Sequence, residues 1–356
     1  MKLIRFIILI LLTNISYLYY SQCSNLSVNA GTNANVITET LYEESFTGQN
    51  GKGAIGTNPI DLVGCSWNID VNAATLDDNN DYFKVNSEKL EARDVDGICF
   101  WYSPVINIQN YINVDLSLIA SQNSNSSRYE ADDIFYSEYS LDGSIWTYFS
   151  NNGQMSDGLP YSNVSVTQNG LRGSTIQIRV TVDVDQDNER FKLDDIKVTG
   201  QQYKINLCYG DPLTLGGSPT ANWSGIGNPT ITYHWTPNAS LSDPNISNPI
   251  ATPTVPTIYK VVSILTNNGV TCKDSSLIYV NVSPQVSVIS SSPVCINDTL
   301  TISELGGNAT SWNWSSDGNA TILSINDSSS KVVGMSNGEI FSVYVEDDNG
   351  CSNTAS

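Results

Sequence analysis

Alternation of apolar and polar side chains is the main structural signal in this chain. In the segment STIQIRVTVDV, residues 174–184, Ile and Val alternate with Gln, Arg, Thr and Asp. Such a pattern predicts a half-buried antiparallel strand. The segment EYSLDGSIWTYF predicts a hairpin with Asp142 and Gly143 at its turn. Short segments of this kind are separated by turns rich in Asn, Gly, Ser, Asp and Pro, so the sequence predicts an all-β fold.

One predicted strand, RFKLDDIKVTG at residues 190–200, is interrupted by two acids, Asp194 and Asp195. Neighbours in a strand point to opposite faces, so at least one carboxylate should point towards the core. A buried, unpaired carboxylate is strongly unfavourable, so it needs a partner. The alternative is a β-bulge, in which one Asp accepts hydrogen bonds from backbone N–H groups and the other is solvated.

The chain repeats itself after about residue 206. NLCYGDPLTL matches PVCINDTLTI, ITYHWTP matches TSWNWSS, and TIYKVVSILTNNGVTC matches EIFSVYVEDDNGC. The repeat predicts two small sandwiches at 206–284 and 288–356, with a core Trp at Trp235 in the first and at Trp312 or Trp314 in the second. The second repeat ends where a final strand should begin, so we expect native sequence to continue downstream.

The cysteines predict disulfides. Each repeat opens and closes with a cysteine, which predicts the pairs Cys208–Cys272 and Cys295–Cys351. Cys65 and Cys99 lie in apolar, strand-like segments of one domain, which predicts a third pair. Cys23 is left over. The seven cysteines fit an oxidising compartment.

The first residues predict secretion. Lys2 and Arg5 flank the short apolar run IRFIILILLT, which predicts a signal peptide at residues 1–21 with cleavage after Ser21. The run is too short for a membrane helix, and no later apolar run is long enough for one. A lipid on Cys23 is disfavoured because Gln22 does not match the small residue that such signals need.

The net charge and the motifs of the sequence restrict the classes of partner and of reaction. The chain has a net charge of −20, from 16 basic and 36 acidic residues. That charge disfavours nucleic acid and anionic membranes as partners and favours divalent cations. The only histidine, His234, lies in a predicted strand with no nucleophile motif around it. No P-loop, Rossmann or zinc motif and no paired glycosidase carboxylates are apparent, so we expect no catalysis.

Two resemblances add to this picture. GDPLTLGG, YHWTPNASLSDPNISNPIATPTVPTIYKV and NGVTC resemble the immunoglobulin-like, PKD-like repeats of large secreted proteins of Bacteroidetes-type bacteria. The second repeat lacks the Pro-rich segment SDPNISNP, and neither repeat has the immunoglobulin Tyr two residues before its second Cys. Residues 38–200 are similar to jelly-roll modules of the MAM-like and carbohydrate-binding type, through LYEESFTGQNGKG, LEARDVDG, YSLDGSIWTYF and FKLDDIKVTG. The resemblance of the repeats implies spacer, adhesion or display roles rather than catalysis, whereas the jelly-roll resemblance concerns the fold more than the ligand.

The jelly-roll resemblance also implies a structural Ca²⁺. In such modules an acid on the first strand and an Asp on the last strand share the ion, and here these acids are Glu43, Glu44, Asp194 and Asp195. An EF-hand-like spacing of Asp183, Asp185, Asp187 and Asp194 is read as a solvated hairpin end, because Asn188 stands where the loop needs Gly. The cluster ARDVDG at 92–97 is read as a local salt-bridged turn.

Aromatic residues in the first domain are candidates for stacking on sugar rings. They are Trp67, Trp101, Tyr102, Tyr136, Tyr139, Trp146 and Tyr148. The sequence does not say which face of each strand is open, and for any single ring the core is the safer assignment. We therefore predict a secreted or cell-surface, non-catalytic binding or adhesion protein whose partner is an extracellular glycan or a surface protein. The alternatives are a targeting region of a larger secreted hydrolase and a structural stalk.

Overall fold

All the regular elements whose bounds lie within the described residues are β-strands, which confirms the predicted all-β fold. The computed structural model describes residues 23, 26–31, 34–123, 133–155, 163–186, 189–295 and 298–356. The signal peptide predicted at 1–21 lies outside these residues. Within them there are 28 strands, β1 to β28. No helix of the described residues is long and apolar enough to cross a membrane.

The chain forms two compact units. The inserted unit is Ile37–Gln202, and the discontinuous unit comprises the described part of Met1–Val36 together with Tyr203–Ser356. Two long strands carry the chain between the units: β2, Asn35–Glu44, and β15, Phe191–Cys208.

The inserted unit is a sandwich of two sheets. Sheet I has the order β11-β10-β14-β7-β4, with β12 on β10 and β8 on β14. Its strands are β4 (Asn68–Asp70), β7 (Cys99–Tyr102), β8 (Ile106–Asn107), β10 (Ile134–Ser140), β11 (Thr147–Tyr148), β12 (Gln154–Met155) and β14 (Thr175–Asp183). Sheet II has the order β13-β9-β15-β6-β5-β3, with β2 also on β15. Its other strands are β3 (Gly53–Ile55), β5 (Tyr82–Asn86), β6 (Lys89–Arg93), β9 (Asn113–Gln122) and β13 (Val164–Leu171).

The core of the inserted unit lies between the two sheets. Alternation along β14 places Ile178 and Val180 in it, as the sequence predicts, while Arg179 points to the other face. The rings of Phe46, Trp67 and Trp101 meet edge to face at its centre, with centroids 5.7 and 6.3 Å apart. The inward faces of both sheets belong to one continuous apolar cluster.

The discontinuous unit contains the two predicted repeats. The first has the sheets β18-β20-β21-β15, β16-β19 and β1-β17. Its strands are β1 (Leu26–Val28), β16 (Leu213–Thr214), β17 (Ala221–Trp223), β18 (Thr230–Thr236), β19 (Ile250–Ala251), β20 (Thr257–Asn267) and β21 (Val270–Ser283). The second has the sheets β22-β23-β26-β25 and β24-β27-β28. Its strands are β22 (Val288–Ser290), β23 (Leu300–Glu304), β24 (Ser311–Ser316), β25 (Thr321–Ile322), β26 (Ser329–Val333), β27 (Phe341–Glu346) and β28 (Ser352–Ala355).

The two predicted repeats have equivalent buried tryptophans. Trp235 and Trp314 are 0% and 3% exposed. Each indole N–H donates to a backbone carbonyl, that of Ile246 at 3.0 Å and that of Asp327 at 2.9 Å. Trp314, rather than the half-buried Trp312, therefore fills the core of the second repeat.

The first repeat includes a strand that comes from before the inserted unit. β1 pairs antiparallel with β17, and the buried Ala30 follows it. The repeat predicted at 206–284 thus lacked one of its strands, because that strand is separated from the others by the whole inserted unit.

The disulfides differ from the predicted pairs. Cys23 is bonded to Cys272, and Cys208 is bonded to Cys351. β1 brings Cys23 into the first repeat, and Cys208 ends β15 beside Ser283, at the junction with the second repeat. Since a disulfide needs Cα atoms roughly 5 to 6 Å apart, sheet neighbours decide the pairing rather than repeat position. Cys295 is exposed and has no disulfide partner.

The predicted pair Cys65–Cys99 is also absent from the structure, where both residues are free thiols. β4 and β7 are neighbours, but their register pairs Asp70 with Phe100. Extending it places Val71 opposite Cys99. Cys65 lies in the turn before β4, where its thiol donates to Gln49 Oε1 at 3.5 Å.

Candidate ligand-binding face

The outer face of sheet I carries two rows of side chains that cross five strands. Residues opposite each other in neighbouring strands share a face, so the registers define each row. The first row is Asn68, Tyr102, Arg179, Glu138 and Tyr148. The second is Asp70, Phe100, Thr181, Tyr136 and Gln154. We call these two rows, together with Trp146, the aromatic platform.

Aromatic rings surround the guanidinium of Arg179. Its Cζ lies 4.4 Å from the ring centroid of Trp146 and 5.0 Å from that of Phe100. Trp146 precedes β11 and also meets Tyr102 edge to face, with centroids 5.9 Å apart. These cation–π contacts hold the indole against the sheet although it lies at the end of a hairpin turn.

Glu138 fixes Arg179 in place. Nε and Nη2 of Arg179 donate to the two oxygens of Glu138, each at 2.8 Å. Thr181 donates its hydroxyl to the same carboxylate at 2.8 Å. The side chain of Glu138 is only 7% exposed and that of Arg179 19%. Such a bidentate pair is strong and directional, so the centre of the platform is rigid.

The structure decides which aromatic residues face outward. Tyr148 is 40% exposed, and Tyr136 meets it edge to face with centroids 5.2 Å apart. Trp67 and Trp101 are core residues, and Tyr139 packs against the same core. The sequence supplied the candidates, but only the packing of sheet II against sheet I closes one face and leaves the other open. Flat rings beside amide, hydroxyl and carboxylate groups suit a ligand that has both apolar faces and hydroxyl groups.

The four acids predicted to bind Ca²⁺ are not gathered into one site. Glu44 is buried and accepts hydrogen bonds from Phe46 N at 2.7 Å and from the Gln49 amide at 2.8 Å. Glu43 is exposed and has Lys197 3.8 Å away. The first and last strands are neighbours, as predicted, because β2 pairs with β15.

The acidic pair on β15 forms a β-bulge instead. The register shifts between Asp194 and Lys197, and Asp195 has a φ of 47°. One oxygen of Asp194 accepts the Asp195 N–H at 2.9 Å, and the other pairs with Lys89 at 2.7 Å. Asp195 is exposed, and the buried alternation resumes at Ile196. The bulge therefore keeps both carboxylates out of the core, as the alternative explanation from the sequence expected.

A different acidic group has ligand chemistry suited to a cation. Carboxylate oxygens of Asp133, Asp185 and Glu189 lie within 4.8 Å of one another. Asp133 and Glu189 are buried, whereas Asp185 is exposed. The pairing of Ile134 with Asp183 explains the group, since it brings the residues just before β10 next to those just after β14. Sequence spacing could not reveal it, because Asp133 is distant in the chain.

The remaining sequence candidates have structural roles. Asp183 lies on β14 and accepts the Gly97 N–H at 3.0 Å, so it is not part of an EF-hand loop; Asp187 lies outside the described residues. ARDVDG forms the turn after β6, anchored by the buried Val95, whose N–H donates to Val184 O at 2.7 Å. His234 is exposed on β18, with Nδ1 3.4 Å from Asn245 Oδ1.

Comparisons with known proteins give low similarities. No protein-family model matches the chain, and no curated protein sequence matches it. Among solved structures, the K3 adhesin domain of Lys-gingipain from Porphyromonas gingivalis is similar at 9% identity and a TM-score of 0.31, over 46% of this chain and 99% of that one. Domains 3–5 of Drosophila OTK are similar at 11% identity and 0.19, over 63% and 84%. The four N-terminal Ig domains of Dscam1 isoform 1.9 are similar at 12% and 0.23, over 70% and 67%. Because these scores are low, function is inferred below from the residues of this chain.

Proposed function

We propose that this protein is an extracellular, non-catalytic adhesion module that binds glycans through the aromatic platform of its inserted unit. The observation that carries the proposal is the outward row of Tyr102, Arg179 and Tyr148, joined by Trp146. Trp67 and Trp101 are buried in the core, whereas Tyr148 is exposed, and Tyr102 and Trp146 are half-buried around one rigid ion pair.

The chemistry of the platform favours sugars. A pyranose ring has an apolar face that packs on an aromatic ring, and its hydroxyl groups form hydrogen bonds at the edge. Asn68 and Gln154 lie at the ends of the two rows, where their amides can donate and accept. Aromatic side chains are the common anchors of binding surfaces because they bury a large area with little loss of rotamer freedom.

Two further observations support an extracellular location. The discontinuous unit contains two disulfides, which persist in oxidising compartments. The large negative charge suits a soluble surface or secreted protein. A targeting region of a hydrolase would use the same platform, whereas a stalk would not require one.

The test is binding of the full chain to a glycan array, followed by calorimetry on the oligosaccharides that bind. Replacing Trp146 or Tyr148 with alanine should weaken binding roughly 30-fold, as expected for an anchor worth about 2 kcal/mol. Tyr344→Ala is the matched control, because Tyr344 is 42% exposed but lies in the second repeat. The proposal fails if no glycan on the array binds the folded chain. It also fails if the Trp146 and Tyr148 variants, like the Tyr344 control, bind as tightly as the parent.

Ca²⁺ as a structural cofactor stays a prediction, but its residues change. Asp133, Asp185 and Glu189 are the candidates, because a hard cation takes six to eight oxygen ligands and would offset the repulsion between their neighbouring carboxylates.

A further inference from the structure

The ion pair at the centre of the aromatic platform determines which charges the platform accepts. Glu138 takes two of the donors of Arg179 and compensates its charge, while the rings of Trp146 and Phe100 lie close to the guanidinium. Thr181 donates its hydroxyl to Oε2 of Glu138, the oxygen that also accepts from Nε of Arg179. A ligand on the platform therefore meets a cation whose charge is already neutralised.

Within the described strands, the registers place a further carboxylate, Asp70, beside Phe100 on the same side of sheet I as Arg179. Asp183 lies two residues beyond Thr181 on β14 and already accepts the Gly97 N–H. An anionic sugar would approach Asp70 without gaining the guanidinium. An uncharged sugar would lose nothing, since stacking on the rings does not depend on charge.

We propose that Glu138 is a positioning residue that restricts the platform to uncharged glycan chains. The inference rests on the proposed function. Glu138 acts through Arg179: without its carboxylate, the guanidinium would present a planar fork of donors, which is the group that proteins use to bind carboxylates and sulfates.

The experiment uses matched sugars and one substitution. The full chain is titrated with cellohexaose, laminarihexaose and mannohexaose, and with the same oligosaccharides oxidised to carboxylates at C6. The wild type should bind a neutral form at least tenfold more tightly than its oxidised form. Glu138→Gln, which keeps the shape of the side chain, should shift this ratio about tenfold towards the oxidised form, because a charged hydrogen bond becomes available. High salt should abolish the shift.

Asp194→Asn is the matched control. It removes one carboxylate from an ion pair of the same unit, freeing Lys89 on sheet II, and should leave the ratio unchanged. Near-UV circular dichroism establishes that each variant is folded. The wild-type comparison needs no variant, so equal binding of the two forms would refute the inference even if Glu138→Gln does not fold.

The outcomes separate the two proposals. If the wild type binds oxidised and neutral forms equally, the charge selectivity is refuted and the glycan-binding function stands. The charge selectivity is also refuted if folded Glu138→Gln keeps the wild-type ratio of the two affinities, or if Asp194→Asn shifts that ratio as much as Glu138→Gln does. If the folded wild type binds neither form and the glycan array is blank, the proposed function is refuted, and this inference with it.

Discussion

Replacing Cys295 with serine distinguishes the disulfides of the structure from those that the repeat pattern predicts. In the structure Cys295 is exposed and unbonded, while Cys351 is bonded to Cys208. Pairing within each repeat would instead make Cys295 the partner of Cys351. The structure therefore predicts that Cys295→Ser changes the free energy of unfolding by no more than about 0.5 kcal/mol, as for most surface substitutions.

Removal of the Cys208–Cys351 bond should have a much larger effect. The bonded residues are 143 positions apart, for which the chain-entropy model gives about 5 kcal/mol as an upper value. Natural disulfides often contribute 2 to 5 kcal/mol, a large share of the roughly 5 to 15 kcal/mol that stabilises a typical domain. The double variant Cys208→Ser with Cys351→Ser should be made in the Cys295→Ser background, so that no free thiol can exchange.

Urea unfolding under non-reducing conditions measures both effects, with tryptophan fluorescence as the signal, to which the buried Trp235 and Trp314 contribute. Peptide mapping without reduction should recover Cys208 linked to Cys351. A loss of several kcal/mol in Cys295→Ser alone, or a peptide that links Cys295 to Cys351, would refute the reasoning. In that case the register at the junction of the repeats would also be wrong.

Three more predictions test other parts of the structure. Burial raises the pKa of Asp347, but hydrogen bonds from Ser283 and from backbone N–H groups outweigh it and lower the pKa below its ordinary value. This carboxylate therefore stabilises the fold above the unfolded-state pKa of about 4, and that stability should be lost as the pH falls through the lower, folded-state pKa. The urea midpoint should fall less between neutral and acidic pH in Asp347→Asn than in the wild type. If the two midpoints depend on pH in the same way, the hydrogen bonds to Asp347 do not contribute. Asp195→Val should destabilise by about 1 to 2 kcal/mol in thermal melts because of its positive φ, whereas Asp195→Gly should not; equal effects would argue against the bulge. If Ca²⁺ binds, a chelator should lower the melting temperature by several degrees, and Asp133→Asn, but not Asp194→Asn, should remove that response; the reverse order would restore the site predicted from sequence.

Local pattern determined the strands of this protein. Period-two alternation is a property of neighbouring residues, so the sequence suffices to assign Val180 to one face of β14 and Arg179 to the other. The repeat likewise identified Trp235 as a core residue, because a large apolar side chain at equivalent positions of two β units has few other places to go. The two acids of β15 were recognised as a break in the pattern, and the bulge was one of the two explanations that the sequence offered.

Tertiary structure decided everything that depends on which strands are neighbours. Cys23 reaches Cys272 only because β1 crosses back to the first repeat, and Asp133 reaches Glu189 only because β10 lies beside β14. The aromatic platform is of the same kind: the pairing of β7 with β14 places Tyr102 beside Arg179, and the second sheet, packed on the opposite face, makes theirs the open one. Alternation is encoded within a few residues, whereas strand order is set by long-range pairing and burial, which no local segment contains.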